Sequence, residues 1–223
     1  GPPAGVRRRC LGPGGRGLSV RLSRARLATL ARLGVLVVQG DWDALARARA
    51  ELEPAEVDRA LRETLLQVGV FAGMPRLVHA CAVLGRVGGL GDALAEEREG
   101  GLEAAALLAR GEALFALVYG DTAGAVREGL AAAHPELERL VLGQAYGAVL
   151  ARPGLETADR ELLAVAWLAA LDQERQLASH ACGALRSGAT AEEVVAVLEA
   201  VRDRLGEDLH QRAARVAERF GGP

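Results

Sequence analysis

The stretch from residue 146 to residue 190, YGAVLARPGLETADRELLAVAWLAALDQERQLASHACGALRSGAT, decides the fold. Residues 160–171 in its middle are nearly all apolar and rich in Ala and Leu, which lead the helix propensity scale. Two further helices are predicted after that one, over residues 174–187 and 190–205. The stretch therefore predicts consecutive helices joined by short turns.

The same pattern extends toward the N-terminus. Helices are predicted over residues 137–150, 41–52 and 23–38, and another begins at Pro54 and ends at the FAGMP segment, residues 71–75. Strict apolar–polar alternation never persists, and no Asn-Gly or Asp-Gly turn joins two strand-like runs. We expect an all-α protein.

The helices group into two similar three-helix units, which superpose when Val57 is aligned with Val194. This alignment predicts an internal duplication. The predicted organisation is a flexible leader rich in Arg, Gly and Pro, a degenerate first unit, a linker region and a second unit that carries the candidate site. Their bounds are residues 1–22, 23–90, 91–122 and 123–223.

Composition narrows the function classes. A net charge of -2 gives no electrostatic case for nucleic-acid binding. The longest apolar runs are about half the ~20 residues that a membrane-spanning helix needs. Cys10, Cys81 and Cys182 are far apart and include no C-x-x-C pair, so neither a disulfide framework nor a metal site is predicted. We expect a soluble protein with no nucleic-acid or membrane partner.

The N-terminal region has its own charge pattern. Residues 1–40 hold eight arginines and no acidic residue. A mitochondrial presequence has that pattern, whereas a native leader or a remnant of cloning explains it without targeting. We expect a cytoplasmic location, with a mitochondrial one as the alternative.

Six short pieces in the second half of the chain carry a family resemblance. The pieces HP, YG, RPGL, REL, SH and GAT begin at residues 134, 146, 152, 160, 179 and 188. In this order and spacing they resemble the carboxymuconolactone decarboxylase family, which includes the alkylhydroperoxidase D-like proteins. A similar aromatic-x-G-x-P break at residues 71–75 extends the resemblance to about residues 23–205, leaving the leader and the C-terminal helix unmatched. The resemblance implies an alkylhydroperoxidase D-like all-α fold built from two repeated units, and a homo-oligomer such as a trimer or hexamer.

The redox branch of this family carries a Glu, a C-x-x-C pair and a His. By resemblance the acid falls on Glu161, the two cysteines on Gln173 and Gln176, and the histidine on His180. Peroxide reduction requires a thiolate and a resolving thiol, and a glutamine amide supplies neither. The sequence therefore predicts a protein that is not a peroxidase.

Acid/base chemistry remains open to the retained residues. Gln173, Gln176 and His180 are spaced to line one helix face, and antiparallel packing would bring Glu161 alongside. A carboxylate that faces an imidazole fixes its tautomer, as a general acid or base requires. Glu161 and His180 are thus the candidate catalytic residues. The alternative is a buried pair that only ties two helices together.

The remaining candidates would bind substrate. Arg152 and Arg160 would hold a carboxylate in a bidentate fork. A surface or helix-cap role is the alternative for each, and it is the favoured interpretation of Arg160. Tyr146 would donate a hydrogen bond, or bond to backbone instead. Gln173, Gln176 and His79 complete the substrate-binding candidates, whereas His134 is expected to be structural and His210 solvated.

Two functions follow for a protein that resembles this family. The preferred one is carboxymuconolactone decarboxylase-like, thiol-independent acid/base chemistry on a small lactone or carboxylate, as in a carboxy-lyase, without a cofactor. The alternative is a non-catalytic oligomeric scaffold or small-molecule-binding member of the family.

Overall fold

The computed structural model describes residues 21–98 and 100–219, and every regular element in these ranges is helical. The α-helices are α1 (Arg24–Gln39), α2 (Trp42–Ala50), α3 (Arg59–Ala72), α4 (Met74–Arg86), α5 (Ala104–Tyr119), α6 (Ala123–Ala133), α7 (Leu137–Leu140), α8 (Thr157–Ala170), α9 (Glu174–Arg186), α10 (Ala191–Glu199), α11 (Arg202–Leu205) and α12 (Glu207–Glu218). Three short 3₁₀ helices cover Pro54–Glu56, Ala95–Glu97 and Gly120–Thr122, and a π-helix, Val141–Leu150, continues α7. The all-α prediction is confirmed.

Local sequence signals set several of these boundaries. Side-chain oxygens of Ser23, Asp41 and Asp58 accept backbone N–H bonds and cap α1, α2 and α3. Thr190 and Glu193 form the reciprocal capping box at the start of α10. Each cap satisfies N–H groups that a helix terminus leaves without a partner. The helices therefore begin close to the predicted positions.

Three predicted boundaries were wrong in detail. The helix expected from Pro54 starts only at Arg59, because Asp58 caps it and Pro54 begins a separate 3₁₀ turn. The helix expected over residues 190–205 is split into α10 and α11 at Ala200 and Val201. The single helix expected over residues 137–150 changes from α to π geometry after Leu140.

One large core joins the two ends of the chain. Helices α1–α4 and α8–α12 contribute to a single cluster of buried apolar side chains, with α8 at its centre. Trp167 on α8 is fully buried, and its indole N–H donates to the carbonyl of Ala31 on α1 at 3.2 Å. The opposed Gly34 leaves room for this ring, because a Cβ there would lie 2.0 Å from the indole nitrogen. The regions expected as two units thus share one core, and their origin by duplication stays a prediction.

A second, smaller core lies beside the first. It is formed by α5 and the π-helix, whose buried members are Leu114, Phe115, Val118, Leu142, Tyr146 and Leu150. Phe71, at the end of α3, packs against both cores. The ends of α3 and α5 therefore lie where the two cores meet, close to α8 and α9.

The described residues bear on two further predictions, the N-terminal leader and the absence of a membrane-spanning helix. Residues 1–20 of the predicted leader, with Cys10, lie outside the described ranges. Among the residues that are described, no helix combines the length and the apolar character needed to cross a bilayer.

Candidate functional site

The structure brings Glu161 and His180 together between α8 and α9. The two helices form a hairpin, and Nδ1 of His180 lies 2.8 Å from Oε2 of Glu161. Glu161 is 1% exposed and His180 is 6% exposed. The prediction that antiparallel packing brings Glu161 alongside His180 is confirmed.

This contact orients the imidazole. A carboxylate only accepts hydrogen bonds, so Nδ1–H donates to Glu161 and leaves Nε2 as the basic nitrogen of a neutral ring. Nε2 has no hydrogen-bond partner among the described residues, yet it is not among their fully enclosed polar atoms. The free nitrogen therefore retains contact with solvent.

Aromatic rings surround the pair. Phe71 meets the His180 ring edge-on with centroids 5.6 Å apart, and it meets Trp167 in the same way at 5.5 Å. The charge of Glu161 also acts on Tyr119 and Tyr146 and raises the pKa of both phenols. The acid and the histidine thus lie in a largely apolar environment, where electrostatic interactions are stronger than in water.

Burial governs the state of the two phenols. Desolvation raises the pKa of Tyr119 and raises that of Tyr146 well above its ordinary value, and Glu161 acts in the same direction on both. Both hydroxyls consequently stay protonated at neutral pH and act as donors. They lie next to each other and interact.

Gly183 allows the end of α5 to approach the acid. A Cβ at this position would lie 2.5 Å from Oε2 of Glu161 and 2.7 Å from Cγ1 of Val118. Only hydrogen fits between the two side chains. Gly183 thereby places the last turn of α5, which carries Tyr119, against the carboxylate.

Replacing Gly183 with alanine should lower the free energy of unfolding by about 1–3 kcal/mol, because the added methyl forces a buried side chain or α5 to move. The ring signals of His180 in a proton–nitrogen NMR spectrum should shift as well. Gly85→Ala is the matched control, because Gly85 also lies in a helix but nothing lies within 4 Å of its Cβ position. Equal effects of the two substitutions would contradict the close approach.

The two glutamines do not join the pair. Gln173 precedes α9, and its side-chain amide donates to the carbonyl of Leu171 at 3.2 Å. Gln173 and Gln176 are both exposed, whereas the buried face of α9 carries Leu177 and His180. The prediction that both glutamines share a face with His180 was wrong for Gln173, because Asp172 takes a left-handed conformation and the helix begins only at Glu174. Gln176 lies within α9, four residues before His180, but its side chain is exposed.

The two arginines expected near a substrate carboxylate are held by a protein carboxylate. Glu63 on α3 is 2% exposed and lies 2.8 Å from the guanidinium groups of both Arg152 and Arg160. Arg160 also exchanges two hydrogen bonds with Gln67, at 3.0 Å and 2.8 Å. The surface or cap role favoured for Arg160 was wrong, because Glu63 pairs with it inside the protein.

The other histidines are separate from the pair. His79 is exposed on α4 and packs in a tilted arrangement on Trp42, with ring centroids 4.6 Å apart, and no contact joins it to Glu161 or His180 among the described residues. His134 is structural as predicted, since its Nδ1 accepts the N–H of Glu136 at 3.1 Å. The prediction of a solvated His210 was wrong: α12 packs on α10, so His210 is 5% exposed and lies 3.0 Å from Glu199.

The described cavities lie elsewhere. A groove of about 310 Å³ runs between α3, α4 and the π-helix, and two cavities of about 20 Å³ and 10 Å³ lie in other parts of the large core. Neither Glu161 nor His180 lines any of these three spaces.

A comparison with protein-family models finds a match in the second half of the chain. No curated protein matches the sequence. Residues 135–219, from the start of α7 to the end of α12, match the profile of the Carboxymuconolactone decarboxylase family. The match contains Glu161 and His180 and also the C-terminal helix, which sequence reasoning left unmatched. Residues 135–219, which are less than half of the chain, are therefore similar to the Carboxymuconolactone decarboxylase family.

Proposed function

We propose that this protein carries out thiol-independent acid/base chemistry of the decarboxylase type on a small lactone or carboxylate. Glu161 and His180 are the proposed catalytic residues. The observation that carries the proposal is the buried 2.8 Å contact between them, which orients the imidazole and leaves Nε2 without a partner among the described residues. A general acid or base needs this combination of fixed orientation and one free nitrogen.

The proposed reaction places specific demands on these groups. When a lactone carboxylate loses carbon dioxide, the electron pair of the broken C–C bond delocalises onto the lactone carbonyl and forms an enolate. A proton must then reach the carbon to complete the product. Protonated His180 would donate it from Nε2, and Glu161 would stabilise the imidazolium that exists before the transfer.

The cysteines give no support to peroxide reduction. By the resemblance described above, Gln173 and Gln176 fall where the redox branch of the family carries cysteine. Burial raises the pKa of the thiols of Cys81 on α4 and Cys182 on α9, which keeps both in the less reactive protonated form. We therefore propose chemistry that does not use a thiol.

The second candidate is a non-catalytic oligomeric scaffold or small-molecule-binding member of the family. The position of the apolar groove favours it, because the groove lies away from Glu161 and His180. Exposed apolar side chains at its edge include Val70, Met74 and Leu140. Association of several copies would cover such a surface. Under this second proposal the protein assembles as a trimer or hexamer. We also propose that the chain arose by internal duplication.

A panel of lactone carboxylates tests the two candidates. Wild-type protein should consume at least one member, with the loss of carboxylate followed by ultraviolet absorbance and released carbon dioxide. His180→Ala should reduce the rate by about 100-fold or more. His134→Ala is the control, because this exposed histidine has only a structural contact.

The outcomes separate catalysis from binding. Turnover that persists in His180→Ala would show that the proposed pair is not catalytic. If wild-type protein binds members of the panel and turns over none, the binding function stands and the catalytic one fails. Size measurement by light scattering then decides between a monomeric binder and an oligomeric scaffold.

A further inference from the structure

Tyr119 lies before the part of the chain that matches the family model. It is the last residue of α5, outside the matched residues 135–219. Its ring stacks on Phe115 with centroids 4.2 Å apart and lies 6.3 Å from the ring of Tyr146. Tyr146 lies on the π-helix and is 4% exposed, whereas Tyr119 is only partly buried. Two phenols from separate elements therefore converge at the boundary between the cores.

The end of α5, which carries Tyr119, lies close to the candidate catalytic acid. The Cβ position of Gly183 lies close to Oε2 of Glu161 and to Cγ1 of Val118, the neighbour of Tyr119. This contact places the end of α5 against the Glu161 carboxylate. Arg186 holds the same turn, because its guanidinium donates to the carbonyl of Val118 at 2.6 Å. The position of Tyr119 is thus fixed by contacts with α9.

The two hydroxyls have unused hydrogen-bonding capacity. Apart from their interaction with each other, no described residue accepts a hydrogen bond from either of them. At most one of the two protons is engaged between the oxygens, so the other remains available. Neither hydroxyl is among the fully enclosed polar atoms of the described residues, so both retain contact with solvent and can be reached by a ligand. A ligand oxygen would complete this arrangement.

We propose that Tyr119 is a substrate-binding residue whose hydroxyl, together with that of Tyr146, stabilises the enolate oxygen that forms on a lactone carbonyl. This inference rests on the proposed acid/base function of Glu161 and His180. Fixed donors directed at a developing negative charge in a site shielded from water are an effective source of transition-state stabilisation. The proposed site then combines residues of the matched range 135–219 with Tyr119 of α5, which precedes that range.

Binding of an enolate mimic tests the proposal. Tetronate, the anion of 4-hydroxy-2(5H)-furanone, is a planar five-membered lactone enolate, and its binding is measured by calorimetry. We expect Tyr119→Phe and Tyr146→Phe each to weaken binding by about 10-fold or more, because a hydrogen bond to a charged oxygen is lost while the ring is kept. His134→Ala should bind as the wild type does.

The results distinguish this inference from the proposed function. One outcome overturns only the role of Tyr119: Tyr119→Phe binds tetronate as tightly as wild type, whereas Tyr146→Phe or His180→Ala binds it more weakly. The acid/base proposal survives that outcome. Absence of binding to wild-type protein overturns the enolate site, and turnover in the lactone panel then shows whether Glu161 and His180 act without it. Weaker binding by Tyr119→Phe with unchanged thermal stability supports the inference.

A spectroscopic titration checks the placement without any ligand. The chain contains 2 Tyr, so phenolate absorbance in each single Tyr→Phe variant reports on the other tyrosine alone. Burial, Tyr119 and Glu161 all raise the pKa of Tyr146, so Tyr119→Phe and Glu161→Gln should each lower it. Burial and Glu161 also raise the pKa of Tyr119, against which Tyr146 and Arg175 act. A Tyr146 titration that neither substitution moves would show that the phenols are not beside the acid.

Discussion

Replacing Glu63 with alanine should lower the free energy of unfolding by about 3–5 kcal/mol, because it leaves the charges of Arg152 and Arg160 without their buried partner. Both guanidinium groups lie 2.8 Å from its carboxylate, and Arg160 is 1% exposed. Burial already lowers the pKa of the Arg160 guanidinium, and Glu63 acts against that effect. Chemical denaturation followed by circular dichroism measures the loss.

A surface pair provides the comparison. Glu112 lies 3.1 Å from Arg127, and both side chains are 40% exposed. Glu112→Ala should therefore cost only about 0–1 kcal/mol, as is usual for exposed ion pairs. Glu63→Gln separates charge from shape, since it keeps the size of the side chain and removes its charge. If Glu63→Gln and Glu63→Ala both match Glu112→Ala, the buried pair does not stabilise the fold.

This network also gives the two arginines a structural partner that sequence reasoning did not identify. Arg152 and Arg160 lie on either side of a Pro-Gly turn that resembles the family pattern, which suggested a role in substrate binding. Their partner, Glu63, is distant in sequence and belongs to α3. A signal was present, since Glu63, Thr64 and Gln67 interrupt the apolar face of a predicted helix. Buried polar groups on such a face require partners.

The helical fold followed from local sequence properties. Ala- and Leu-rich segments, capping residues such as Asp58 and Thr190, and glycines at helix ends act over a few residues, so they can be recognised without the structure. The π-helix could not be recognised in this way. Its residues are ordinary helix formers, and its wider turn is stabilised by contacts with α5, which lies earlier in the chain.

The site was predictable only where its residues are close in sequence. Glu161 and His180 lie on consecutive helices, so a hairpin was enough to predict their contact. Tyr119 was missed because it reaches the pair through the packing of α5 against α9. The position of Gln173 outside the helix was missed because it depends on where α9 begins. Tertiary packing decided each of these positions.

The packing of α5 against the π-helix is the basis of the second large effect. A Cβ on Gly147 would lie 2.0 Å from the carbonyl oxygen of Leu107, and a Cβ on Gly111 would lie 1.8 Å from that of Leu142. The two backbones therefore cross with only hydrogen atoms between them. Arg110 strengthens the crossing, because its Nε donates to the carbonyl of Gly147 at 2.8 Å.

Gly147→Ala should consequently destabilise the protein by about 3 kcal/mol or more, since the obstructing atoms belong to the backbone and cannot rotate away. Gly143→Ala is a closely matched control, because Gly143 lies in the same π-helix and nothing lies within 4 Å of its Cβ position. That change should be neutral or stabilising by up to about 1 kcal/mol, as alanine restricts the unfolded chain. Denaturant unfolding of both variants measures the difference.

The same substitution links stability to the candidate site. Tyr146 precedes Gly147, so separation of the two helices displaces its hydroxyl from that of Tyr119 and from Glu161. In Gly147→Ala protein that remains folded, phenolate titration should therefore shift toward the ordinary tyrosine range, because burial is the main cause of the raised pKa of Tyr146. Gly143→Ala should leave the titration unchanged. A shift in both variants, or in neither, would show that this helix crossing does not position Tyr146.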